Sequence, residues 1–257
     1  MTIDRKPRVA LLIDADNSPA RKIDLILNEL STFGETSIRR AYGNWKKAEL
    51  KGWEEVLHEH AIRPMQQFDY SKGKNASDMA MVIDALALLY TDSPDAFGIV
   101  SSDADFTPLV MHLREKGAAV YGFGGQKTPE PFVNACSRFL FLDKLGATAA
   151  TDASEASDAS EGTPAALLRI PTAQLKQDAK LVTLLRNAVQ AAADDEGWAR
   201  VGALGQQIAN QASFDPRNYG YATLSKLLIA TQLFEWANEG KSDVAVRDKR
   251  TSKPSRG

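Results

Sequence analysis

The sequence predicts an α/β protein: a doubly wound parallel sheet, followed by a small winged-helix domain. Three observations carry this expectation. Over residues 1–145, short apolar runs alternate with segments of helical period, the pattern of parallel βαβ units. Residues 146–161 read GATAATDASEASDASE, with no large apolar side chain to offset the entropy of ordering, and mark a flexible linker. Beyond them the period is helical almost throughout, as in a helix-turn-helix with a small ribbon.

Each element follows from its own pattern. The run VALLI at 9–13 reads as a buried strand, and 20–33 as a helix through Ile23, Ile26, Leu27 and Leu30. A second strand is expected at 37–42, then a helix at 48–60 with Leu50, Trp53, Val56 and Leu57 on one side. Residues 62–68 read as a third strand. The helix at 78–90 has Met79, Val82, Ile83, Leu86 and Leu89 at helical spacing. A fourth strand at 97–100, a helix at 107–116 stopped by Gly117, and a fifth strand at 119–123 complete the unit. In the second half, helices are expected at 175–192, 201–211 and 221–230, with a short strand at 233–236. The expected division is 1–145, a linker at 146–170, a winged-helix domain at 171–240 and a disordered tail at 241–257. That tail carries six basic residues against two acids.

Composition narrows the chemistry. The 257 residues hold 31 basic and 33 acidic side chains, a net charge of −2, so nucleic-acid binding would need a local patch and not a global field. One cysteine, Cys136, and three histidines exclude a disulfide framework and a Cys-rich zinc site. Metal chemistry would therefore rest on carboxylates. The start, MTIDRKPRVALLIDAD, is neither a signal peptide nor a membrane span, so a soluble cytoplasmic protein is expected.

In a parallel sheet of this kind, ligands sit outside the carboxyl ends of the strands. Asp14 and Asp16 directly follow the first strand, Asp103 and Asp105 follow the fourth, and Asp78 opens the central helix. Gathering like charges on one rim costs free energy unless a cation offsets it, and hard divalent ions take oxygen ligands in this way. Mg²⁺ or Mn²⁺ in such a cluster activates water and stabilises a phosphoryl transition state. The plainer reading is helix capping, to which Asp16, Asn17 and Asp78 are each suited. Two D-x-D pairs at two strand ends weigh against capping alone. Asp84, about 120° around the helix from Asp78, need not share the site and reads as structural, or as a support to the acids that do.

The segments IDADN, YGNW, KGKNASDMAMVIDAL and IVSSDADFTPLVMHLREKGAAVYGFG, in this order, resemble the NYN domain, the PIN-like nuclease fold of the LabA/DUF88 group, over roughly residues 5–145. The resemblance implies a Mg²⁺- or Mn²⁺-dependent ribonuclease acting on RNA, with Asp14, Asp78, Asp103 and Asp105 as its catalytic, metal-holding acids. It also implies that Asn17 orients a carboxylate, a water or the substrate. Asp16 stands where many relatives carry a small residue; it is a further candidate ligand. After the linker, Trp198, the helix from Val201 and FDPRNYGYATLSKLL resemble the OST-type helix-turn-helix, or LOTUS domain, over about 172–240. That resemblance implies an RNA-binding or protein-docking module, with Arg217 and Lys226 as the contact candidates.

Other signals are weaker. Lys72 and Lys74 precede Asp78 in a loop and could meet a phosphate backbone, or be plain exposed charges. Tyr42 and Trp45 could stack bases, though aromatic residues at strand ends usually pack. GFGGQKT lacks the spacing of a phosphate loop. Ser101 and Ser102 lack a histidine partner, and Cys136 reads as core. Two other classes stay open: a non-catalytic RNA-binding or adaptor protein of the same fold, and a haloacid-dehalogenase-like phosphatase using D-A-D. The second expects a helix-borne Lys and a strand-end Ser or Thr that have no clear counterpart.

Overall fold

The computed structural model describes residues 5–68, 76–144, 169–238 and 244–251, and the chain divides into two compact units at Asp143/Lys144. The first unit opens with β1 (Arg8–Asp14), in which every residue after Arg8 is buried. It continues through α1 (Ile23–Ser31), β2 (Glu35–Gly43), α2 (Glu54–Glu59), β3 (Arg63–Gln66) and α3 (Ala76–Thr91). Then follow β4 (Ala96–Val100), α4 (Thr107–Glu115), β5 (Ala119–Gly124), α5 (Glu130–Ala135) and β6 (Arg138–Phe141). All six strands pair in parallel in the order β3-β2-β1-β4-β5-β6. The order reverses between β1 and β4, which is the crevice where open α/β sheets take ligands. The expected doubly wound sheet is therefore present.

Burial explains the sheet. β1 and β4 are the central strands and are apolar without alternation, because helices cover both faces. Leu12, Phe97, Ile99, Val110, Val120 and Phe139 are among the fully buried side chains of one core cluster. Gly34 serves the turn into β2: a Cβ there would stand 2.2 Å from the Pro7 carbonyl oxygen. The helix expected at 48–60 begins instead as a 3₁₀ segment, Ala48–Trp53, before α2. α5 and β6 lie outside the expected elements. Both are short, and two prolines precede the helix interior.

The second unit holds α6 (Thr172–Gln177), α7 (Ala179–Ala192), β7 (Ala199–Arg200), α8 (Val201–Gln211), α9 (Leu224–Thr231), β8 (Phe234–Ala237) and β9 (Ala245–Asp248). The single helix expected at 175–192 is two, because Asp178 leaves helical backbone and caps α7, accepting from the Leu181 amide at 2.9 Å. Gly220 closes the 3₁₀ turn Pro216–Tyr219 in the left-handed region, φ 84°. The strands form an antiparallel sheet in the order β7-β9-β8.

One expectation is corrected here. Residues 241–257 are not wholly a disordered tail, since β9 pairs with both other strands and Val246 is fully buried in the core. The basic count hides an alternation in AVRD that turns Val246 and Asp248 inward, with Asp248 paired to Arg186 (3.2 Å) and Arg250 (2.9 Å). The expected linker falls, but for Arg169 and Ile170, outside the described residues. Among the described residues no helix is long and apolar enough to cross a membrane.

Candidate functional site

Asp14 ends β1 with its side chain wholly buried. Its carboxylate accepts from Asn17 Nδ2 at 3.0 and 3.2 Å and from Ser101 Oγ at 2.9 Å. Asn17 therefore serves as an orienting donor to Asp14. Ser101, just beyond β4, is itself buried and also accepts from the Asp103 amide at 3.1 Å. One hydroxyl thus links the two strand ends that straddle the reversal of strand order.

Asp103 accepts from the Asp105 amide at 2.9 Å and caps the 3₁₀ turn Ala104–Phe106. Capping and clustering coincide in this residue. Asp16 and Asn17 are not caps, since Pro19 precedes the next helical turn. Asp16 accepts from Ser77 Oγ at 2.8 Å and pairs with Lys47 Nζ at 3.2 Å. It therefore ties the end of β1 to the first turn of α3 and to the segment after β2.

Asp78 lies in that first turn, where the helix N-terminus favours negative charge. α3 is also held mid-length: Asp84 accepts from Arg40 Nη1 at 2.5 and 2.6 Å and from the Tyr42 hydroxyl. Asp84 is thus structural, as expected. Tyr42 is fully buried and bound to it, which removes it as a base-stacking candidate.

The charges act on one another. Burial, followed by the charges of Asp14, Asp103, Asp16 and Asp105, pushes the Asp78 carboxyl from 3.8 up to about 6. Burial also raises Asp14, against the opposing hydrogen bonds from Asn17 and Ser101, with the Asp16 charge adding to the rise. The acids named from the sequence therefore share one electrostatic neighbourhood. Among the described residues, however, no three His, Cys, Asp or Glu side chains are disposed to close on one ion. Mg²⁺ keeps several waters and is held through one or two carboxylates, so it does not require three. The donor set is all oxygen, which fits a hard cation and excludes a thiolate or imidazole site.

Other candidates separate from this neighbourhood. Lys72 and Lys74 lie outside the described residues. Arg217, in the second unit, is engaged by buried Asp215 through Nε (2.9 Å) and Nη2 (2.8 Å), and Lys226 sits in the first turn of α9. Cys136 is buried and its thiol pushed up to about 12 by that burial, an inert core residue. Ser77 and Lys47 escape sequence reasoning, and the role of Ser101 does too. In the sequence alone Ser101 is weighed only as a nucleophile and set aside for want of a histidine, whereas the structure makes it a strut between two strand ends.

A family model described as the NYN domain matches residues 8–143, which covers the six-stranded sheet and Asp14, Asp16, Asp78, Asp103 and Asp105. The chain belongs to the NYN domain family. A model of the OST-HTH/LOTUS domain matches residues 175–242, leaving β9 beyond its end. An uncharacterized protein of Methanocaldococcus jannaschii is 31% identical over 123 residues, or 46% of this chain. The match spans 48% of that relative, so the chain covers about half its length. A solved structure of a protein of unknown function from Vibrio parahaemolyticus aligns with 55% of this chain and 96% of its own, at 19% identity and a TM-score of 0.45.

In the NYN domain, raised Asp78 carries a sign for stability. Its folded value lies above its ordinary one, so its contribution is fully present below pH 3.8 and lost as pH rises through about 6. Without divalent ions the domain is therefore expected to be less stable at pH 7.5 than at pH 5. The partly exposed carboxyl is screened, which leaves a difference on the order of 1 kcal/mol. Urea midpoints in EDTA at the two pH values check this, and Asp78→Asn should remove most of the difference. An unchanged pH slope in that variant would count against the coupling.

Proposed function

We propose that this chain is a divalent-metal-dependent ribonuclease, whose NYN domain hydrolyses phosphodiester bonds in RNA that its OST-HTH/LOTUS domain helps to hold. The observation that carries the reading is the placement of Asp14 at the end of β1 and of Asp103 just beyond β4, where the strand order reverses, with the Asp78 carboxyl raised by burial and by the charges of Asp14, Asp103, Asp16 and Asp105. Such a concentration of negative charge is unfavourable by itself and is relieved by a cation.

One or two carboxylates from among Asp14, Asp78, Asp103 and Asp105, with water at the other positions, would hold Mg²⁺ or Mn²⁺. A bound ion there supplies activation of water and neutralisation of charge at the scissile phosphate. The residues around it supply orientation. Asn17 and Ser101 fix the Asp14 carboxylate by donating to it, and Ser101 spaces it from Asp103 through the latter's amide. Asp16 fixes the first turn of α3 through Ser77, which sets where Asp78 stands. Asp16 is thereby a positioning residue more than a ligand. Lys47, paired with Asp16, is a cation of this neighbourhood that would meet a phosphate oxygen.

The OST-HTH/LOTUS domain supports RNA as substrate, since domains of this type bind RNA, and tethering raises the local concentration of substrate at the nuclease. Lys226, in the first turn of α9, and Arg217, held by Asp215, are the phosphate partners proposed there. Lys226→Ala is expected to lower the salt slope of RNA binding by roughly 0.7–0.9, the value for one phosphate left without its cation. Binding isotherms at several salt concentrations measure it, and an unaltered slope would assign the domain to protein docking.

The test of the activity itself is an RNA cleavage assay with the full chain. Cleavage is expected with Mn²⁺ or Mg²⁺, none in EDTA, and no turnover of a small phosphate ester. RNA binding without cleavage under all metal conditions would identify an adaptor.

A further inference from the structure

Beside the acids, the carboxyl ends of β2 and β3 build a small frame. The two strands close their pairing at Gly43 and Gln66. The Gln66 side chain then ties the strand ends together: Oε1 accepts from the Trp45 amide at 3.1 Å, and Nε2 donates to Asn44 Oδ1 at 3.1 Å. The Gln67 amide adds a bond to the Gly43 carbonyl at 3.0 Å. Trp45, the stacking candidate of the sequence, belongs to this frame, with its indole Nε1 buried. The frame presents a different ring. Phe68 is 46% exposed, and the Nζ of exposed Lys46 stands 5.0 Å from its centre.

We propose that Phe68 and Lys46 form a nucleotide-binding step beside the acids, in which the base of one RNA nucleotide lies on the Phe68 ring and its phosphate meets the Lys46 ammonium. The step rests on the reading of RNA as the substrate. A lone exposed apolar side chain is ordinary on a protein surface. Place, company and frame distinguish this one. Among the described residues the exposed aromatic rings are Phe68 and Tyr90, and Tyr90 lies in the last turn of α3, at the end away from Asp78. Phe68 instead follows β3 at the carboxyl rim of the sheet. With strands about 4.8 Å apart and β2 between them, the end of β3 lies roughly 10 Å along that rim from the end of β1, where Asp14 stands. Lys47 pairs with Asp16, so two consecutive lysines lead from the acids to the ring. Sites for single-stranded nucleic acid combine these parts, an aromatic ring for the base and cations along the backbone. An apolar ligand would satisfy the ring and desolvate the ammonium, whereas a nucleotide brings a flat ring and an anion together. A cation held over a ring at an exposed site is bound weakly, so the base can take the ring face while Lys46 turns to the phosphate. Bases in a duplex are already stacked, so the step selects unpaired RNA.

The test is photocrosslinking of the full chain in EDTA, where cleavage plays no part. The probe is a single-stranded RNA of about 8 nucleotides carrying 5-iodouridine, which crosslinks to rings on which it stacks. A crosslink mapped to Phe68 is expected, with none when the same strand is in a duplex. Phe68→Ala should weaken binding of the single strand by about 5- to 100-fold, and Phe68→Trp should keep it. Lys46→Ala should lower the salt slope by roughly 0.7, the value for one phosphate of a single strand. Because Phe68 is exposed, the alanine variant should melt with the parent; Phe68→Leu keeps apolar volume without an aromatic ring should the alanine variant fail to fold. RNA bound without a crosslink at Phe68, or with affinity unchanged when the ring is removed, overturns the step and leaves the nuclease reading to its cleavage assay. A crosslink at Phe68 in a chain that never cleaves RNA with Mn²⁺ overturns the nuclease reading alone. No RNA binding at all overturns both.

Discussion

Asp14→Asn is expected to reduce metal-dependent RNA cleavage by at least about 10²–10³-fold while the fold is kept. The substitution removes a charge from a wholly buried position and preserves the shape of the side chain. Asn17 and Ser101 both donate to the present carboxylate, and the Ser101 hydroxyl can rotate to accept from the new amide. Burial already raises Asp14, so losing its charge relieves unfavourable desolvation and stability should hold or rise in EDTA. Ser101→Ala separates orientation from charge. It leaves all the acids in place and removes only the hydroxyl between the two strand ends, for an expected loss of about 10–100-fold. Single-turnover cleavage rates across a Mn²⁺ titration measure both. Full activity in Asp14→Asn would contradict its assignment.

The largest expected effect on stability comes from Asp84→Ala. Arg40 and Asp84 are each about one-fifth exposed, and the Tyr42 hydroxyl donates to the same carboxylate. Removing the acid strands a guanidinium and a hydroxyl in a mostly buried setting, at a cost of about 3 kcal/mol. That corresponds to roughly 10 °C in the melting temperature of the NYN domain. Asp84→Asn retains an acceptor and should lose less. Because α3 also carries Asp78, the alanine variant should weaken metal binding although Asp84 itself lies outside the acidic neighbourhood. A melting temperature within about 2–3 °C of the parent, or about 1 kcal/mol for a domain of this size, would show that the pair contributes little.

The parts of this molecule that are legible in the sequence are those governed by local pattern. VALLID shows both a buried strand and the acid at its carboxyl end, and IVSSDAD repeats the arrangement, so Asp14 and Asp103 can be placed without knowing any strand pairing. The rule that ligands collect at strand carboxyl ends then joins them. What stays hidden depends on partners far apart in the chain. Ser101 reaches Asp14 across 87 positions, Ser77 reaches Asp16 across 61, and Lys47 reaches Asp16 across 31. No periodicity reports such contacts. β9 is hidden for another reason: its four residues sit among basic ones, and its alternation has meaning only against β7 and β8. The exposed stripe of α3 misleads in the same way. Met79 and Ile83 lie at core-like spacing, yet the helix turns them to solvent because Met81, Ala85 and Leu88 already fill the contact with the sheet.

The central claim is that the acids at the reversal of strand order exist to hold a divalent cation, and locating Mn²⁺ by its anomalous scattering in crystals of the full chain tests it most directly. At least one Mn²⁺ peak is expected with a carboxylate oxygen of Asp14 within about 2.0–2.3 Å, its remaining positions filled by water and by Asp78, Asp103 or Asp105, and the peak absent from Asp14→Asn crystals. Mn²⁺ at saturating concentration with no peak among these acids, or a peak unchanged by Asp14→Asn, would contradict it.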